Sequence, residues 1–493
     1  MFDKYILKPF IESSEKLAGN NAFCINEKFY NYLDFARYIS KVRKAIQDCE
    51  IISPNIGLVA NDDIETYASI FAIWLEGYTY VPLHPSQPHN RNVEILLQAK
   101  INLIIDSGKN GLYAKFNLIQ SSLLAETDIN LSLKQISDDT LAYILFTSGS
   151  TGNPKGVTIT RSNIKAFVEA FWDIGYLIDE NDRCLQPFDL TFDLSVMSYL
   201  IPLTKGACVY TVPHNQIRFS YITKLLDEHS LTVALMVPST IRYLKSYFAE
   251  IELPNLRYNL FCGEALPLDL IKEWAKCIPN SKIDNVYGPT EDTIFCSFYR
   301  YSREEVNKSY NGVISIGKSM KNGQMIIVNN KNLEISEGQQ GELCLSGSQL
   351  TPGYWNNPEK NKEMFFMDNQ GKKYYKTGDI CFKDPEGDIL FVGRKDFQIK
   401  IQGYRVELGE IEFYAQDFLD GTNAVALTYI NDIGNNEIVL FIEKSAFDLT
   451  LMISHLNSKL PSYMIPTNFL FEPNFPLNIN GKIDRNKLKE YIK

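Results

Sequence analysis

Residues 140–157 read TLAYILFTSGSTGNPKGV. The first seven form an apolar run of strand length. Without a break the chain then enters a loop carrying four hydroxyls (Thr147, Ser148, Ser150, Thr151), three glycines (149, 152, 156) and one lysine, Lys155. Similar apolar runs lie on both sides, at residues 55–60 (NIGLVA), 101–106 (INLIID), 207–212 and 232–237. Between them lie segments with helical spacing. In residues 63–77, Ile64, Tyr67, Ala68, Phe71 and Leu75 share one face, and a helix is expected at 162–172 with Ser162 as N-cap. Strands that alternate with helices imply parallel sheets joined by crossovers, hence an α/β fold.

Beyond about residue 310 the pattern changes. Runs at 325–328, 341–346 and 389–392 are short strands between Gly- and Asn-rich turns, the pattern of a small β-barrel or antiparallel sheet. Paired strands at 423–429 and 438–443 and a helix at 450–460 return the last hundred residues to mixed α+β. We expect a large domain over 1–394, with two parallel-type α/β sheets and a small barrel. A small C-terminal α+β domain is expected over 395–493.

Composition excludes several classes. The chain has 493 residues, a net charge of −10 and 45% hydrophobic residues, ample for large cores. An acidic balance offers no general nucleic-acid face. No apolar run approaches the roughly 18 residues that a spanning helix needs. The N-terminus lacks a signal-peptide layout, so a cytoplasmic protein is expected. Nine widely spaced cysteines without CxxC read as thiols rather than a disulfide frame, and the five histidines form no HxxxH.

Glycines let backbone approach an anion, and amides, hydroxyls and Lys155 can donate to phosphate oxygens. The loop is neither a Walker A loop nor GxGxxG. By composition alone it is either an anion cradle or a surface turn. Its sequence, TSGSTGNPKG, resembles the phosphate-loop signature of the adenylate-forming superfamily, which contains acyl-CoA synthetases, luciferases and peptide-synthetase adenylation domains. Further matches follow in that family's order: YVPLHP (80–85), VYGPTE (286–291), GELCLSGSQLTPGY (341–354), YKTGD (375–379), GRKDFQIKIQGYRVELGEIE (393–412), LPSYMIP (460–466) and NGKIDRNKL (480–488).

The resemblance implies ATP and Mg²⁺ as cofactors and a reaction in two halves. An acid and ATP give an acyl-adenylate and pyrophosphate, and a thiol then takes the acyl group. Thr147, Ser148, Gly149, Ser150, Thr151, Gly152 and Lys155 are implied to cradle the phosphates. Gly263, Glu264, Asn285, Val286, Tyr287, Gly288, Pro289 and Thr290 are implied around the adenine and α-phosphate. Asp379 is implied at the ribose with Arg394 beside it, Phe391 in the ATP site, and Glu291 at the metal. Lys482 is implied as the catalytic residue of the first half, neutralising charge on the reacting oxygens. By residue type alone it could be one more base in a solvated tail. Asp396 is implied as the hinge of a mobile C-terminal domain, and Gly403, Tyr404 and Arg405 as the lining of a pantetheine tunnel.

FDLS at 192–195 is similar to the motif whose aspartate marks amino-acid-activating members, so Asp193 is implied to pair with a substrate ammonium. A helix-start acid facing solvent is the competing reading. Leu194, Met197, Leu235, Leu260, Cys262, Val286, Ile294 and Phe295 then fall at the pocket positions. They are apolar and bulky, so a small or compact apolar side chain is expected, and polar ones would strand a buried group. FDLSVM, NLFCGEALP and GRKDFQIK are most similar to the D-alanine–carrier protein ligases of teichoic acid modification. Val286, Phe295 and Gly409 depart from them, which leaves L-Ala, Gly, Ser, Val and Pro open.

No carrier domain follows Lys482 in this sequence, so a phosphopantetheine-bearing carrier acting in trans is the expected partner, with no nucleic acid and no membrane insertion. An acyl- or aryl-CoA ligase and a non-catalytic adenylate binder are the alternatives. Asp193 stands against the first and the intact motifs against the second.

Overall fold

The computed structural model describes residues 1–108, 111–149, 154–396, 398–445, 448–477 and 483–492. The chain forms two compact units. The larger comprises residues 1–85, 96–145 and 156–395; the smaller comprises 86–95, 146–155 and 396–493.

Two sheets dominate the larger unit. One has nine strands, and six are mutually parallel: Lys282–Tyr287, Tyr258–Phe261, Val233–Met236, Arg183–Gln186, Cys208–Thr211 and Asn21–Ile25, in that spatial order. Antiparallel strands continue it on both sides, Ser297–Arg300 beside Lys282–Tyr287 and Lys28–Asn31 beside Asn21–Ile25. The other sheet has seven strands. Its parallel part runs Leu141–Thr147, Thr79–Leu83, Asn55–Val59, Leu103–Asp106 and Asn117–Gln120.

Two helices explain how the sheets share a core. Ile64–Glu76 is buried at every position except Glu65, and Asp193–Leu203 is buried throughout. A helix that is apolar all round must be covered all round. Their residues join one apolar cluster with Ile56, Leu58 and Leu145 of the seven-stranded sheet and Val209, Leu235 and Leu260 of the nine-stranded one. On the other face of the nine-stranded sheet, Ala234, Met236 and Phe261 pack against helices Arg218–Glu228 and Leu268–Cys277. Alternate residues of Val233–Met236 thus serve opposite cores, as the strand period of two demands.

Capping residues set the helix ends. Asp63 accepts from the Thr66 amide at the start of Ile64–Glu76, and Gly77, at φ +89°, ends it. The helix expected at 162–172 runs Arg161–Asp173 instead. Thr160 rather than Ser162 caps it, because Thr160 is extended and exchanges hydrogen bonds with Asn163 in a capping box.

The expected barrel is an antiparallel sheet of Gly323–Val328, Gly341–Gly347, Lys373–Lys383, Phe365–Met367 and Ile389–Arg394, and its hydrogen bonding does not close among the described residues. The long strand Lys373–Lys383 accounts for this. Its first part pairs with Phe365–Met367 and its last part with Ile389–Arg394, so neither returns to the far edge.

The smaller unit contains the sheet Ala424–Ile430, Asn436–Ile442 and Asn468–Phe471, the hairpin of Gln398–Ile401 with Tyr404–Glu407, and helices Leu408–Phe418 and Leu449–Lys459. Gln402 (φ +50°) and Gly403 (φ +83°) make the two-residue turn of that hairpin, the left-handed pair that matches strand twist.

Candidate active site

In the larger unit the adenine-type motif hangs from the end of a central strand. Lys282–Tyr287 stops at Tyr287, and Gly288 and Pro289 lead into a short turn at Thr290–Asp292. A Cβ on Gly288 would lie 2.4 Å from the Phe295 Cα, so only glycine fits there. Thr293 (φ +50°) and Ile294 (φ +74°) then take left-handed backbone, unusual for β-branched residues. Gln349 holds this turn, its Nε2 donating to the Phe295 carbonyl at 2.8 Å while its backbone carbonyl accepts from the Thr293 hydroxyl at 2.5 Å.

The strained turn presents Ile294 to Asp193. The Ile294 amide donates to Asp193 Oδ2 at 3.3 Å. Asp193 opens the buried helix Asp193–Leu203 and is only 6% exposed, which removes the reading of a solvent-facing helix-start acid. Leu194, Met197, Leu235, Leu260, Cys262, Val286, Ile294 and Phe295 are all buried and belong to one apolar cluster. Of these, Ile294 meets the Asp193 carboxyl directly and Leu194 follows it in the chain.

Glu291 is fully buried. Its Oε1 accepts from the Tyr354 hydroxyl at 2.6 Å and its backbone carbonyl from the Thr351 amide. A carboxylate of this kind fits Mg²⁺, which takes one or two protein carboxylates and completes its shell with water and substrate phosphates. Next to it, burial pushes the Asp292 carboxyl up to about 6. Asp379 receives Arg394 Nη1 on Oδ1 at 2.6 Å and the Tyr287 hydroxyl on Oδ2 at 2.5 Å. Arg394 thus stands beside Asp379 as the motif predicts, and Tyr287 ties the two motifs together. Asn285 Nδ2 donates to the Ser315 carbonyl at 2.9 Å, and the Ser239 backbone amide donates to Glu264 Oε2 at 2.8 Å. Gly263 adopts φ +88°. Pro289, Thr290 and Phe391 are half-buried.

In the smaller unit the phosphate loop already holds anionic oxygens. Lys155 Nζ lies 3.1 Å from Glu407 Oε1, and the Gly149 amide donates to Glu410 Oε2 at 3.2 Å. The Ser148 hydroxyl donates to the Arg405 carbonyl at 2.9 Å. Arg91 Nη1 meets Glu410 Oε1 at 2.5 Å, and burial raises the Glu410 carboxyl above its usual range although Arg91 pulls it down. Donors that hold carboxylates in this way have the charge and direction to hold phosphate oxygens. Asp396 is exposed and its Oδ1 accepts from the Gln398 amide. Tyr404 stacks on Tyr463, with centroids 4.0 Å apart and planes 10° apart. Ser150, Thr151, Gly152 and Lys482 lie outside the described residues.

Five site residues, Gln349, Tyr354, Arg91, Glu407 and Glu410, were not expected from the sequence. Glu407 and Glu410 stand inside a quoted motif. So do Gln349 and Tyr354, within GELCLSGSQLTPGY; Arg91 lies in no quoted motif and acts through Glu410, 319 residues away.

The AMP-binding enzyme model matches residues 12–355. The chain belongs to the AMP-binding enzyme family. It is 30% identical to the D-alanine–D-alanyl carrier protein ligase of Bacillus licheniformis over 86% of each chain. It is 29% identical to part of tyrocidine synthase 3 of Brevibacillus parabrevis, covering 97% of this chain and 7% of that protein. Among solved structures it resembles the Vibrio cholerae adenylation domain AlmE in complex with glycyl-adenosine-5'-phosphate, with a TM-score of 0.85, 26% identity and coverage of 99% and 97%. These relatives place the chain in the adenylation class of AMP-forming ligases, which use ATP. No described helix is long and apolar enough to cross a membrane.

Proposed function

We propose that this protein activates a small or compact apolar amino acid as its aminoacyl-adenylate and passes it to the phosphopantetheine thiol of a separate carrier protein. The observation that carries the reading is the buried Asp193 carboxyl at the start of an apolar helix, held by the Ile294 amide. A substrate α-ammonium brought beside this carboxylate would gain a charge-assisted hydrogen bond in a low-dielectric setting. The ligase from Bacillus licheniformis makes D-alanine the first candidate; glycine, named with AlmE, is the second.

In the first half-reaction a substrate carboxylate oxygen bonds to the α-phosphorus and the bond to the pyrophosphate oxygen breaks. Two anions must meet, so alignment and charge neutralisation carry the catalysis. Asp193 anchors the ammonium and so directs the carboxylate. Lys155 and the amides of Ser148 and Gly149 receive the phosphates, Thr290 the α-phosphate, and Asp379 the ribose hydroxyls. Glu291 would hold Mg²⁺, which supplies further neutralisation of phosphate charge. Lys482 is assigned to the reacting oxygens. In the second half-reaction the carrier thiolate attacks the acyl carbon and AMP leaves. Residues 395–493 serve as the mobile domain hinged at Asp396, with Gly403, Tyr404 and Arg405 toward the pantetheine. A cytoplasmic setting matches these substrates.

ATP–pyrophosphate exchange over the proteinogenic amino acids, D-alanine, and several aryl and fatty acids tests the reading. Exchange with D-alanine or another compact amino acid supports it. Exchange confined to acids without an amino group overturns the role of Asp193 and favours a CoA ligase.

A further inference from the structure

Away from these residues, His84, Asp189 and His214 bring three ligand atoms within 4.8 Å of one another. His84 follows strand Thr79–Leu83, Asp189 follows Arg183–Gln186, and His214 follows Cys208–Thr211. The cluster thus joins the carboxyl ends of strands from both large sheets, where open α/β sheets present ligand sites. His214 Nδ1 is 3.3 Å from Asp189 Oδ1, and His84 Nε2 is 3.6 Å from Asp189 Oδ2. Neighbouring ligands of a tetrahedral zinc ion, each about 2.0–2.1 Å from it, stand about 3.3 Å apart.

We propose that His84, Asp189 and His214 form a site for one Zn²⁺-class cation that clasps the two sheets together. The surroundings support this assignment. Arg218 Nη2 donates to Asp189 Oδ1 at 2.9 Å. Outer hydrogen bonds of this kind orient carboxylate ligands at metal centres. Asp189 is buried and His214 is a quarter exposed, so the site is both preformed and reachable. Two imidazoles with one carboxylate select zinc-like ions over Mg²⁺, which prefers oxygen. The site is therefore distinct in chemistry from Glu291. Because Asp189 precedes Asp193 by four residues, an ion there would also fix the segment that leads into the substrate helix.

The test uses the full chain, stripped with chelator, dialysed against Zn²⁺ or Co²⁺, and read by metal analysis, Co²⁺ visible spectra and melting temperature. One tightly held equivalent, ligand-field bands of tetrahedral Co²⁺ and a Zn²⁺-dependent rise in melting temperature are expected. His214→Asn and His84→Asn should each lower the affinity at least tenfold. If one variant does not fold, the other is read alone. Less than one equivalent in the wild type overturns the site. So does a Zn²⁺ affinity unchanged in the folded variants, which would move the metal to the cysteines. Either result returns the cluster to an ion-pair network around Asp189.

Discussion

Asp193 shows what a single residue decides. Its side chain is buried at the first turn of an apolar helix and takes an amide hydrogen bond from Ile294. On the proposed reading Asp193→Ala would remove the partner of the substrate ammonium, and with it a buried charge pair worth about 3 kcal/mol. Amino-acid-dependent exchange should therefore lose about a hundredfold in kcat/KM while the KM for ATP holds. An unchanged kcat/KM would remove Asp193 from recognition. Lys482→Ala should abolish adenylate formation yet retain nucleotide binding, measured by exchange and by ATP titration. Gly288 answers to sterics alone. Gly288→Ala forces a Cβ against the Phe295 backbone, and a lower melting temperature with weakened activity is expected. The identity of these residues was legible in their motifs. That Asp193 reaches Ile294 was not, because 101 residues separate them.

At the scale of elements, the hairpin Gln398–Ile401 with Tyr404–Glu407 and the helix Leu408–Phe418 deliver carboxylates to the phosphate loop. Glu407 and Glu410 occupy Lys155 and the Gly149 amide, donors that the proposed reaction gives to ATP. Nucleotide and carboxylate would then compete. Glu407→Gln should lower the KM for ATP about fivefold, since a partly exposed ion pair is worth about 1 kcal/mol. A KM that stays the same or rises would show that Glu407 does not compete. Strands and helices were legible from period and turn residues, and their ends shifted by a residue or two where caps intervened. Thr160 in place of Ser162 illustrates why: both are hydroxyl residues, and only the backbone conformation picks the one that caps. The small barrel failed to appear because one strand, Lys373–Lys383, pairs with two partners along its length.

For the whole molecule, stability depends on ion pairs that the cores enclose. Arg43 Nε meets Glu76 Oε1 at 2.6 Å, with both side chains 2% exposed, and links helices Tyr32–Gln47 and Ile64–Glu76. Burial raises the Glu76 carboxyl, but Lys134, Arg43 and Gln47 together bring it below its ordinary value of 4.5. A depressed carboxylate stabilises the fold above that ordinary value and stops doing so as pH falls through the depressed one. Thermal melts should therefore lose stability below pH 4.5, and Glu76→Gln should cost about 3 kcal/mol at neutral pH while flattening that acid slope. A variant with the wild-type slope would assign the acid transition to other carboxylates. By itself the sequence determined the alternation of strands and helices, the thiol state expected of the cysteines and the family, because periodicity, composition and contiguous motifs are local properties of the chain. Only the tertiary structure decided that Asp193 meets Ile294, that Tyr354 meets Glu291, that Glu410 meets Arg91 across 319 residues, and that His84, Asp189 and His214 converge. Each of these contacts is set by which strands and helices the fold brings side by side and where they end, and chain order does not encode that.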